Sequence, residues 1–215
     1  MLTVNMYNNF LLKVKTLDRT DIASTGSHDV LFYLNQAQDI LIDKLVQERK
    51  FEYLRPLTLS QTVAHAAFVT TTGTYVTGIS GAAAIDLSAL TTFRNYLHSQ
   101  SVLTRTAAPA ATSVSVMNKA IEKEEIFRYE TNGTNKPIFT NPKEIVEGKY
   151  LIVLPDAYTT LASITAIYVK TPTALILTTP ASDTSDLPPF LHQDIVDIAV
   201  KLSQETVNIN DIKKN

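Results

Sequence analysis

The run from Ser27 to Lys50, SHDVLFYLNQAQDILIDKLVQERK, contains neither Gly nor Pro and is the longest uninterrupted helical pattern in the chain. Ser27 is placed to cap it, Asp29 sits in the first turn where the positive end of the helix dipole favours a carboxylate, and Arg49 and Lys50 close the last turn. At about 100° per residue, Val30, Leu34, Ala37, Leu41 and Leu45 fall within a sector of roughly 80° and define one buried face. Leu31, Ile42 and Val46 flank that face on one side, and Tyr33 and Ile40 on the other. Only Gln36, Asp39, Asp43 and Gln47 form a wet stripe, and Phe32 interrupts it. A helix apolar over so much of its circumference is packed by more than one neighbour, from its own domain or from another subunit.

The other elements are arranged around this helix. Thr3 or Asn5 opens a shorter helix in which Met6, Phe10, Leu11, Val14 and Leu17 repeat at helical spacing, expected to pack on the main helix and to end in the polar stretch from Asp18 to Gly26. Pro56 stops the main helix from continuing, and FEYLRPLTLSQ reads as a loop or docking strap. Along it Arg49, Phe51, Tyr53 and Arg55 alternate, toward a partner or toward their own domain. At the other end, the stiff Leu187-Pro188-Pro189 leads into a helix with Leu191, Ile195, Ile198, Ala199 and Leu202 in step, and NINDIKKN follows as a polar tail.

Between these ends the pattern changes. Thr62 to Phe93 is rich in Ala, Thr and Gly, and is expected as short strands or extended loop punctuated by Gly73, Gly78 and Gly81. YLHSQSVLTR alternates as a strand, and TSVSVMNKAI as a second with Val114 and Val116 on one face. EKEEIFRYE is a short charged helix or turn, and Asn132-Gly133 is a turn signal. KYLIVLPD, SITAIYVKTP and TALILTT are further β runs. The resulting expectation is an α+β fold: a helical layer from the N- and C-terminal helices with an inserted small antiparallel β domain. Residues 1–56 hold the N-terminal helices, 57–182 the β-rich insertion, and 183–215 the returning helix and tail.

Composition narrows the function. A net charge of −2 over 215 residues lacks the basic excess that phosphate-driven nucleic-acid binding requires. The chain has no cysteine, which excludes disulfides, thiol catalysis and thiolate metal sites. No apolar run approaches membrane-spanning length, and MLTVNMYNNFLLKVK has Asn where a secretory peptide needs its apolar stretch, so neither a membrane span nor export is expected. His28, His65, His98 and His192 are scattered without metal-ligand spacing. Gly78-Ile79-Ser80-Gly81 falls short of a GxSxG elbow, and no Lys follows the glycines as a phosphate loop needs. Glu122, Glu124 and Glu125 read as a solvated acidic face, and Asn132-Gly133-Thr134 as a turn rather than a glycosylation site. No catalytic, cofactor or metal residues are assigned, and a non-enzymatic protein is expected.

Three loose motifs carry a resemblance: LNxAQ within DVLFYLNQAQDILIDKLV, NKP ahead of an extended pair of strands in TNGTNKPIFTNP, and LPxxLHxxIV in LPPFLHQDIVDIAVKL. With GKYLIVLPDA and ITAIYVKTP in the same order, the chain resembles a neck or tail "ring protein" of crAss-like tailed bacteriophages. The Thr62 to Phe93 stretch departs from that pattern. The resemblance implies a head–tail connector, a structural virion protein of the neck or collar assembled in the host cytoplasm. Its copies would form a closed, twelvefold ring that contacts the portal protein and adjacent neck or tail proteins. DNA would pass through the channel without sequence-specific binding, and no membrane or cofactor is implied.

A ring of this kind joins copies head to tail, each presenting one patch to the next. Leu31, Ile42, Val46, Arg49, Phe51 and Tyr53 are the candidate subunit or ring interface. The alternatives are an adhesion or decoration module of the virion that uses the β domain and, more remotely, a hydrolase with unrecognised carboxylates.

Overall fold

The computed structural model describes residues 2–17, 27–69, 82–105, 112–122, 125, 137–156, 158–178 and 184–212. Outside them lie the expected polar stretch 18–26, the three glycines with Ser80, Glu124, the Asn132-Gly133-Thr134 turn and Asn135-Lys136 of the NKP motif. The fold is α+β, as the periodicities predicted. It divides into two compact units: Met1–Leu57 together with Thr171–Asn215, and Thr58–Lys170.

Among the described residues the first unit contains three α-helices, α1 (Thr3–Leu17), α2 (Ser27–Gln47) and α3 (His192–Ile212). All five predicted face residues of α2 are buried, each contributing through the apolar surface it withdraws from water. α2 lies chiefly against α3. The shorter α1 also lies mainly against α3, rather than on the main helix as its spacing suggested. Ile195, Val196, Ala199 and Val200 give α3 an apolar surface broad enough to serve both, and all four are buried. α1 still touches α2 where Phe10 stacks on Tyr33, ring centres 6.3 Å apart. α3 continues through Ile212, so the expected polar tail begins as helix.

α2 stops at Gln47, before Arg49 and Lys50. The Lys50 amide donates to the Leu45 carbonyl (2.9 Å) and the Arg49 amide to the Val46 carbonyl (3.1 Å), with Arg49 left-handed at φ 57°. This is the paired bonding of a Schellman motif, with arginine where glycine is usual. The expected loop after it is a 3-10 helix, Phe51–Leu57, which buries Leu54 and Leu57.

Among the described residues the second unit contains eight strands: β1 (Thr58–Ala64), β2 (Ala83–Asp86), β3 (Phe93–Arg105), β4 (Thr112–Met117), β5 (Lys119–Ala120), β6 (Lys143–Glu147), β7 (Tyr150–Leu154) and β8 (Thr159–Lys170). They form two four-stranded sheets, ordered β1-β8-β3-β4 and β2-β7-β6-β5. Every pairing is antiparallel except the short β5–β6 contact. Leu103, Leu161, Ile164 and Tyr168 of the first sheet meet Ile85, Leu151 and Val153 of the second in one core. Gly148, at φ 57°, opens the two-residue turn joining β6 to β7, a position where a side chain is strained.

One expected strand is absent. Residues 173–178 of TALILTT are irregular and belong to the helical unit, so the boundary lies at Thr171 and not after residue 182. Side chains of α2, Asn35 and Gln38, hold their backbone at Leu175 and Thr173.

Candidate functional site

Two polar clusters and a set of exposed rings stand out from the apolar packing. The first cluster is built on the LNxAQ motif. Asn35 accepts from the Leu175 amide (2.7 Å) and donates to the Leu175 carbonyl (3.2 Å), as a neighbouring strand would. Gln38, 1% exposed, donates to the Thr173 carbonyl (3.2 Å) and accepts from the Ser185 hydroxyl (2.5 Å). Ser185 in turn accepts from the Leu187 amide, and Asp186 from the Thr173 amide. A ring nitrogen of His192 bonds the Leu187 carbonyl at 2.7 Å, which ties down the stiff Leu-Pro-Pro lead into α3. Asn35 and Gln38 are three residues apart, so one side of α2 presents both amides to the same returning segment. Two of the three motifs that carried the resemblance, LNxAQ and LPxxLHxxIV, thus contribute to one clamp closing the helical unit.

The second cluster lies between the two sheets. Glu144 of β6 is 2% exposed and accepts from the Ser99 hydroxyl of β3; Asn118, at the corner where the chain passes from β4 to β5, donates to Ser99. The Tyr96 hydroxyl lies beside the same carboxylate, with His98 farther out. Tyr96 and Ser99 share a face because β3 bulges between them: Tyr96 pairs with Tyr168 and His98 with Ile167, leaving Leu97 as the extra residue. Burial pushes the Glu144 pKa up, against the opposing pull of the polar groups around it, first the Ser99 hydroxyl and then Tyr96 and Asn118. Burial, then the nearby Glu144 charge, likewise raises Tyr96. Such a carboxylate is closed to substrate, and its geometry is that of a tie between sheets.

Of the acidic residues singled out in the sequence, Glu122 is exposed and Glu125 half-buried, and Glu124 lies outside the described residues. A hollow of about 330 Å³ beside β1 contains Asp86, whose carboxylate is held below its usual pKa by Lys149 at 2.7 Å and by Ser88. Among the described residues no three His, Asp or Glu side chains converge as a metal site requires, and no helix is long and apolar enough to cross a membrane.

The candidate interface residues separate into three groups. Arg49 and Phe51 are exposed, while Leu31, Val46 and Tyr53 are half-buried. Ile42 is fully buried and belongs to the core of its own unit, which corrects its placement at an interface: the buried face of α2 is wider than the sector from Val30 to Leu45. Tyr53 meets Phe190 edge-on at 5.2 Å, and Phe190 is 62% exposed. Phe32, 60% exposed, meets Tyr33 at 5.6 Å and so extends the Phe10–Tyr33 stack to the surface. Leu12 and Ile40 are also exposed. Phe32 was legible as the apolar break in the wet stripe. Phe190 was not, because its neighbours Pro189 and Leu191 read together with it as one apolar lead-in. In comparison with known proteins, no family model and no curated sequence matches the chain.

Proposed function

We propose that the chain is a structural virion protein whose copies close into a ring in the neck of a tailed phage, joining the portal and head to the tail around the DNA channel. The observation that carries this reading is the exposure of Leu12, Phe32 and Phe190 on a helical unit that buries the main faces of its α2 and α3 helices. Aromatic side chains standing in water next to well-packed rings are the usual anchors of protein–protein contact. The motif resemblance supports the same reading and adds the neck position, the portal as neighbour and the twelvefold number. A weakly acidic subunit suits a channel that must release the phosphate backbone rather than hold it.

Gold-labelled antibodies against the chain, applied to intact particles, test the location. Label at the head–tail junction is expected. Label spread over the capsid would instead favour an adhesion or decoration module, and particles without label would remove the virion reading.

A further inference from the structure

The first sheet ends in two strands that nothing among the described residues covers with a further strand: β1 on one side and β4 on the other. Natural sheets protect such edges with charge, proline or extreme shortness. These do not. Leu59–Ala64 and Thr112–Met117 contain no charged residue and no proline, and each is long enough for several ladder bonds.

Two further observations fit the edges to each other. The sheet has four strands, all antiparallel, so its outer strands run in opposite directions. Setting β4 of one copy beside β1 of the next therefore continues the antiparallel alternation by rotation alone, with neither copy inverted. The side chains also match. Val63 pairs across to Ile164, Ile164 to Ser101 and Ser101 to Val116, so one rung crosses all four strands and ends in valine at both edges. Both valines pack on the core while remaining only half-buried, whereas Ile164 and Ser101 between them are fully buried. Each edge is the unfinished rim of one core.

We infer that copies of this chain join edge to edge, β4 of one pairing antiparallel with β1 of the next in a head-to-tail contact that continues the sheet from subunit to subunit. A heterologous contact of this kind closes into a ring when its rotation permits. The inference concerns how copies meet and stands without the neck assignment, since antibody labelling reads location and not the contact.

The absence of cysteine from the chain makes cross-linking free of background. Thr62 on β1 and Ser115 and Met117 on β4 point away from the core, so cysteines there leave it intact. Full-length Thr62→Cys chains, concentrated and oxidised with Met117→Cys or Ser115→Cys chains, are expected to form mixed dimers, since the shared rung sets Thr62 opposite Met117. A chain carrying Thr62→Cys with the productive β4 cysteine should give a ladder of covalent oligomers. Thermal unfolding of the reduced variants alongside the parent chain checks that each is folded. Like-with-like dimers alone, or folded chains that form no mixed dimer because β1 takes a segment of another protein or nothing, would overturn the inference.

Discussion

The helical unit and the sheet unit both bury polar side chains, and they do so in opposite ways. In the helical unit Asn35 and Gln38 are neutral, and their amides are matched to backbone groups of the returning segment and to Ser185. In the sheet unit the buried group is an ionisable carboxylate, and among the described residues the Asn118 carbonyl oxygen and the Ser101 hydroxyl have no hydrogen-bond partner. A matched amide pair specifies a fold at little cost, whereas a buried carboxylate costs stability whenever it is charged. The helical unit should therefore be indifferent to pH at these residues, and the sheet unit sensitive to it.

The largest effect expected is in the apolar core of α2. Leu41→Ala should cost about 2–5 kcal/mol in urea unfolding of the helical unit. Ile42→Asp should be at least as damaging to the isolated chain, because an unpaired carboxylate would replace a fully buried side chain. An Ile42→Asp chain that folds normally would restore Ile42 to an interface. The clamp ranks next. Gln38→Ala leaves the Thr173 carbonyl and the Ser185 hydroxyl without their partner and should cost about 1–3 kcal/mol, read as faster hydrogen exchange around Leu175.

For the sheet unit the expected sign is opposite. Burial raises Glu144 above its ordinary 4.5, so the folded unit binds that proton more tightly than the unfolded chain does. Its contribution to stability is complete below the ordinary value and is lost as pH rises through the raised one. Glu144→Gln keeps an acceptor for Ser99 and should raise the melting temperature of the sheet unit at neutral pH, with the difference from the parent vanishing in acid. Asp86, with its lowered pKa, acts in the opposite direction in both proteins and cancels in that difference. The smallest effect is expected at the end of α2, where Arg49→Gly should gain about 1 kcal/mol by relieving the left-handed backbone.

Much of this contrast was legible in the sequence on one side and hidden on the other. The faces of α2 and α3 follow a 3.6-residue period, and β3, β4, β7 and β8 follow strand patterns, so burial alone shapes them. β6 was missed because KEIVE opens with Lys143 and Glu144, which read as solvent residues and are buried. The bulge at Leu97 shifts the strand period, so no alternation rule places Tyr96 beside Ser99. TALILTT has the composition of a strand, but its backbone bonds side chains, the Leu175 amide and carbonyl and the Thr173 carbonyl reaching Asn35 and Gln38 well over a hundred residues away in sequence. The interface candidates were read from one helix and the strap after it, whereas ring contacts such as Tyr53 with Phe190 join distant segments.

The central claim is that this fold recurs around the DNA channel of a particle, and a cryo-electron reconstruction of the neck tests it most directly. A closed ring is predicted, with copies of the helical unit and the two-sheet unit repeated by rotation beneath the portal. A neck resolved to side chains in which no density accepts this fold, together with compact monomers of the purified chain, would contradict it.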